Sequence, residues 1–331
     1  MNDIKKRYKE TTNAIGVALL VWVILYTILT SFKPWVQLFI PQNSNAAYVE
    51  VILSLLNGGA YLAAFMLPAI FFGHLLKSGK KEDMRLDVKL TFDIFPVIFA
   101  GVACSFAFSY FNGIFMTFFE IPASDTVINE ANVYLRDYSL VLRFITIALV
   151  PAFCEEFFFR GVILSNLMPF GKATAIIGSS VLFGLMHGNF YQFLYTTVAG
   201  IVLGTVYVLT DSIWCSTLVH LINNSISVFQ TSVADRLDGY SASVILAVTD
   251  GLIFALGIAS LIYLIIKHTK KTKKNNTELK GVFGVDLRAN ESASIGFCGG
   301  LTVYETVRIF FCPSILLFVA YSLVNAFFRL G

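Results

Sequence analysis

An all-α, polytopic transmembrane helix bundle is the fold class that this sequence predicts, and three observations carry it. Of the 331 residues 56% are hydrophobic and only 14% are charged, where soluble domains hold about 25% charged residues. Aromatic residues make up 15%, with 32 phenylalanines, a load that suits a lipid-facing surface better than a solvated one. The apolar residues also come in runs as long as a membrane-crossing helix, since a hydrocarbon core of ~30 Å takes roughly 20 helical residues.

That ruler picks out nine segments, near 14–32, 50–76, 94–119, 140–166, 173–188, 191–209, 213–230, 244–266 and 306–327. The first is long enough to span and no small-residue cleavage site follows it, so it is expected to stay attached as a helix rather than act as a cleavable signal. The fifth is the shortest. From about Thr269 to Gly300 the chain is polar, rich in Lys and Asn at its start and in Gly at its end, the composition of a linker. The expected organisation is therefore a core over 1–266, a cytoplasmic linker over 267–305 and a C-terminal transmembrane helix over 306–331. That makes eight core helices and a ninth appended. No internal repeat of the kind found in many transporters stands out.

Loop charges order these crossings. Lys5, Lys6, Arg7 and Lys9 precede the first segment, Lys77, Lys80, Lys81, Arg85 and Lys89 follow the second, Lys172 follows the fourth, and a run from Lys267 to Lys280 follows the eighth. In a nine-crossing chain all of these fall on one side, and the other side carries little beyond Lys33, Arg136, Arg236 and Arg329. By the positive-inside rule the chain sits in the cell membrane as a multi-pass protein with a cytoplasmic amino terminus and an external carboxyl terminus. The net charge of +3, spread in short blocks, gives no footing for a nucleic-acid partner, and membrane lipids are the expected surroundings. Five cysteines (Cys104, Cys154, Cys215, Cys298 and Cys312) are odd in number and without CxxC spacing, so they are expected to pack rather than bridge or bind zinc.

Within the fourth segment runs Pro151-Ala-Phe-Cys-Glu155-Glu156-Phe-Phe-Phe-Arg160-Gly161. An ionisable group at the bilayer centre costs about 2.5 to 3.5 kcal/mol on insertion scales, so three together call for compensation and usually mark a function. Glu156 and Arg160, four apart, share a helical face in the favourable order and can neutralise each other. Glu155 lies about 100° round the helix and is left for chemistry. The bland alternative is that all three brace helices through ion pairs. Two of the four histidines, His187 and His220, then fall in later apolar segments. A carboxylate with two imidazoles can position and deprotonate a water, directly or through a divalent metal, and then protonate a leaving amine. Asn224, one turn beyond His220 on the same face, can donate to an oxyanion, or else make a polar interhelical contact. Asn223 beside it falls off that face. His74 is expected as a helix-end contact and His268 as part of the basic stretch.

Glu155-Glu156-x-x-x-Arg160, Phe183-x-x-x-His187 and His220-x-x-x-Asn224 resemble, in order and spacing, the three motifs of the CAAX protease and bacteriocin-processing family of intramembrane endopeptidases, also called CPBP or Abi. The resemblance covers the motif region 140–229. It implies an eight-helix protease core whose cavity admits a membrane-associated peptide or small membrane-protein substrate. It also implies that Glu155 and His187 activate water, that His220 and Asn224 stabilise the oxyanion, and that Glu156 and Arg160 shape the site. The family is often described as metalloproteases, so a divalent metal such as Zn2+ on Glu155, His187 and His220 stays open beside a metal-free glutamate mechanism; no HExxH pair is present to make zinc the default. The Lys-, Asn- and Phe-rich composition looks bacterial, which would favour peptide substrates without a prenyl group. The rival readings are a non-catalytic immunity or scaffold relative, and a proton-coupled transporter using Glu155 and Glu156.

Overall fold

The structure, a computed structural model, describes residues 2–41, 46–76, 85, 94–120, 140–275 and 302–328. Among these the regular elements are all helical: α1 (Asn2–Ser31), α2 (Lys33–Phe39), α3 (Ala46–Leu76), α4 (Ile94–Phe118), a composite α5 over residues 140–167, α6 (Lys172–Met186), α7 (Phe190–Thr210), α8 (Ile213–Arg236), α9 (Gly239–Asn275), α10 (Val303–Phe310) and α11 (Pro313–Phe328). All nine apolar segments are centred on helices. Among the described residues five helices are long and apolar enough to cross a membrane, α1, α3, α4, α7 and α9, and six if α10 and α11 count as one bent span. Outside that set are α6, which is short, and the two helices α5 and α8, whose apolar runs are interrupted by buried polar residues. The chain is thus a polytopic helical membrane bundle. Lys77, Lys80, Lys81, Lys89, Arg136, Cys298, Arg329 and the stretch 276–301 lie outside the described residues.

Two packed regions hold the bundle together. One joins α1, α3, α5, α6 and the C-terminal helices around Phe65, Phe158, Phe159, Ile163 and Phe318; the other joins α4, α7 and α8 around Val102, Leu203 and Val219. By contrast α9 packs against α4 with only 6% of its apolar window buried, so the bundle leaves most of its surface uncovered. Asp238 starts α9 as a cap, its Oδ1 accepting from the main-chain N–H groups of Tyr240 and Ser241 at 3.1 and 3.0 Å. Hydrogen bonds from Ser241 hold its carboxyl below the ordinary carboxylate range. The four described cysteines are free thiols.

The segment expected as one helix over 306–327 is two helices that meet at 69°. Pro313 is the reason: it has no N–H for the carbonyl four residues back and its ring clashes there. That carbonyl, Ile309 O, is met instead by the Thr12 hydroxyl of α1 at 3.3 Å. Lys5 pairs with Glu305 at 2.5 Å, and Gly16 lets α1 and α11 approach until a Cβ there would lie 2.3 Å from Ser314 Oγ and 2.7 Å from the Ile315 nitrogen. Gly16→Ala should therefore lower the unfolding temperature of the full chain in detergent, at a cost of about 1–3 kcal/mol. Gly58→Ala, with nothing within 4 Å of its new Cβ, should leave it unchanged or raise it through helix propensity.

Candidate active site

The acidic helix is irregular on both sides of its carboxylates. Val150–Glu156 is α-helical, but Phe144–Leu149 before it and Phe157–Leu164 after it are wound as π-helical turns, which re-aim side chains and recur at functional sites. Pro151 accounts for part of this. The α-helical donor to Ile147 O would be the N–H of residue 151, which proline lacks, and Asn224 Nδ2 of α8 donates to that carbonyl at 3.2 Å. The expected oxyanion donor is thus already tied by one amide hydrogen to the break in α5. The second hydrogen of that amide is left over.

Glu156 is fully buried and its Oε1 accepts from Arg160 Nη1 at 2.7 Å, one turn on. Arg160, also buried, donates from Nη2 to Gly200 O at 3.0 Å and sits 4.8 Å over the Phe183 ring. Gly200 permits this because α7 crosses close to α6 there, a Cβ at 200 being only 3.0 Å from Ser180 Cβ. Glu156 and Arg160, which the spacing puts on one helical face, thus lie at ion-pair distance, with α7 and Phe183 as further partners of the arginine that spacing along α5 does not reveal.

His220 stands between the two glutamates. Its Nδ1 lies 3.1 Å from Glu156 Oε1 and its Nε2 lies 3.8 Å from Glu155 Oε2. The Glu156 carboxylate, engaged by Arg160, accepts, so Nδ1 carries the hydrogen and a neutral ring turns its Nε2 lone pair toward Glu155. His187 closes α6 and its Nδ1 lies 2.9 Å from Phe183 O. A carbonyl only accepts, so here too Nε2 is the free nitrogen. The turn after it is made by Gly188, whose φ of +54° a side chain would strain, and Asn189 caps α7 through Tyr191 N at 2.8 Å.

Glu155 accepts at Oε1 from the Tyr61 hydroxyl of α3, while its Oε2 is buried without a hydrogen-bond partner. Tyr61, Glu155, His187, His220 and Asn224 all line one cavity of about 330 Å3, together with Phe183, Gln192 and Asn223. Asn223, which helix spacing alone put off the His220 face, lines the same cavity as His220, and its Oδ1 is a second buried atom without a partner there. Tyr61 is the residue that sequence reasoning missed. His74 falls in the last turn of α3 and His268 late in α9, away from the cavity. Glu155, His187 and His220 offer donor types that suit a divalent ion, yet among the described residues no three His, Cys, Asp or Glu side chains are grouped as a metal-binding set.

No curated protein and no solved structure matches the chain significantly. A family model does match, over residues 137–226, a stretch that holds Glu155, Glu156, Arg160, His187, His220 and Asn224 and leaves Tyr61 outside. Two adjacent carboxylates, an arginine and two histidines converge in a membrane bundle within that stretch, and the family model it matches is that of the type II CAAX prenyl endopeptidase Rce1-like family.

Proposed function

We propose that this chain is an intramembrane endopeptidase that hydrolyses a peptide bond in a membrane-associated peptide or small membrane protein by a glutamate mechanism. One observation carries the reading: three acceptors, Glu155 Oε2, His220 Nε2 and His187 Nε2, border one cavity. Glu155 Oε2 and His220 Nε2 at 3.8 Å are too far apart for a direct hydrogen bond and at a spacing that a donor such as water can bridge. Glu155 takes a proton from that water as its oxygen bonds to the scissile carbonyl carbon, while His220 Nε2 accepts its second hydrogen and, with His187 lining the same cavity, fixes its direction. The carbonyl π electrons move onto oxygen, where the second amide hydrogen of Asn224 steadies the charge. As the C–N bond breaks, Glu155 returns its proton to the departing nitrogen. Glu156, held by Arg160, fixes the tautomer and tilt of His220 and touches no substrate.

The ion pair between Glu156 and Arg160 tells against a proton-coupled transporter, since it neutralises one of the two carboxylates such a protein would use. The basic residues on alternate loops support a cytoplasmic amino terminus in the cell membrane.

Comparative mass spectrometry of membrane peptides tests the proposal. Glu155→Ala and His220→Ala should accumulate the same uncleaved peptides relative to the native protein. No change in the peptide pool, with the variants present in membranes at normal levels, would sink it. Chelating divalent ions should leave hydrolysis by the purified protein unchanged; a loss restored by Zn2+ or Co2+ would overturn the glutamate mechanism.

A further inference from the structure

The two oxygens of Glu155 are not equivalent, and the difference comes from α3. Oε1 accepts from the Tyr61 hydroxyl, 94 residues away in sequence, whereas Oε2 has no partner and faces His220 Nε2. A carboxylate turns readily about its last torsion, with broad, twofold preferences, so an unheld Glu155 would present either oxygen, at a range of tilts. A donor fixed on one oxygen removes that freedom and selects the other.

Tyr61 is built to be such a fixed donor. Its ring packs edge-on to Tyr26 at 6.2 Å and against Phe65 at 4.7 Å, and Phe65 is itself wedged between Trp22 at 5.3 Å and Phe158 at 5.9 Å. This aromatic row ties the phenol to α1 and to the helix that carries Glu155. The hydroxyl reaches the carboxylate from the wall of the same cavity that His187 and His220 line. Tyr61 also lies outside residues 137–226, so nothing in the motif region calls for it.

We propose that Tyr61 is a positioning residue for the hydrolysis, holding Glu155 Oε1 so that Oε2 is the oxygen that takes the proton from water. The proposal rests on Glu155 being the base. A small misplacement of a reacting group costs up to about a hundredfold in rate, and that is the effect to look for.

The test uses the full chain in proteoliposomes and, as probe, a synthetic copy of the peptide that accumulates most in Glu155→Ala membranes. Tyr61→Phe keeps the ring in its aromatic row and removes only the hydroxyl. It should lower kcat by about 10- to 100-fold while KM and the unfolding temperature stay as in the native protein. Glu155→Asp draws the carboxylate back by one methylene, out of reach of the hydroxyl, so Tyr61→Phe added to Glu155→Asp should bring no further loss. Three results overturn the assignment. One is a native kcat in Tyr61→Phe. Another is an equal fold-loss in both backgrounds. The third is a loss that comes with a raised KM and a lower unfolding temperature, as a simple tie between α3 and α5 would give. If Glu155→Ala accumulates no peptide at all, the protease reading falls and Tyr61's role with it; if peptides accumulate and Tyr61→Phe turns over like the native protein, only Tyr61's role falls.

Discussion

Glu155→Gln should slow hydrolysis by about a thousandfold without lowering the unfolding temperature of the chain. The amide matches the carboxylate in shape, and its oxygen can still accept the Tyr61 hydroxyl that Oε1 accepts now. What it lacks is a basic oxygen in the place of Oε2, the atom that is buried, unpartnered and turned toward His220. General-base catalysis is worth about 10^2 to 10^4 in rate, which sets the expected size. Stability should hold or rise, because a charge no longer has to be kept in a site that leaves one of its oxygens unmatched. Single-turnover cleavage of an accumulated membrane peptide by the purified full chain gives the rate, and thermal unfolding in detergent gives the control. Retention of activity within tenfold would place the base elsewhere. The same change one residue on should behave differently, since Glu156 is engaged on Oε1 by both Arg160 and His220 and its charge has an answering charge.

How legible this site is in the sequence depends on where each residue's partners lie. Glu155, Glu156 and Arg160 sit within two turns, and a charged cluster in an apolar run is conspicuous whatever the tertiary fold. His187, His220 and Asn224 add a repeated four-residue spacing, and the structure gathers all of them round one cavity. Tyr61 had no such signal. It is one of 14 tyrosines in an aromatic-rich chain, with Leu and Ala around it, and only packing of α3 against α5 brings it to Glu155. The fold shows the same division. Apolar runs locate the helices because burial in lipid acts residue by residue. The break between α10 and α11 and the π turns of α5 depend instead on which neighbour offers a donor to a carbonyl that proline leaves unmatched. Pro151 and Pro313 are both solved in that way, the first by Asn224 on Ile147 O and the second by Thr12 on Ile309 O. Neither donor can be guessed from the proline alone.

Arg160→Ala should cost the fold more than any other single change in the site, about 3 to 5 kcal/mol, because removing one partner of a buried ion pair leaves the other charge uncompensated. Here the guanidinium answers Glu156 at 2.7 Å, donates to Gly200 O at 3.0 Å and covers the Phe183 ring at 4.8 Å. Its loss leaves a fully buried carboxylate uncompensated, takes a second donor from a main-chain carbonyl of α7 and uncovers the Phe183 ring, against which His187 and His220 both pack. Arg160→Lys should recover only part, since an ammonium has no planar fork to span Glu156 and Gly200 together. The decisive comparison is the double variant Glu156→Gln with Arg160→Met, which removes both charges and keeps the volume. Apolar or neutral replacements of buried pairs are often neutral for stability, so the unfolding temperature should return most of the way to the native value. Activity should not return with it, because an amide at 156 can offer His220 Nδ1 either its oxygen or its NH2 and, without Arg160 to orient it, no longer fixes one tautomer. A double variant that regains both stability and turnover would reduce Glu156 and Arg160 to a brace. Stability regained without turnover separates the two tasks of the adjacent glutamates, Glu155 for the proton and Glu156 for the histidine that faces it.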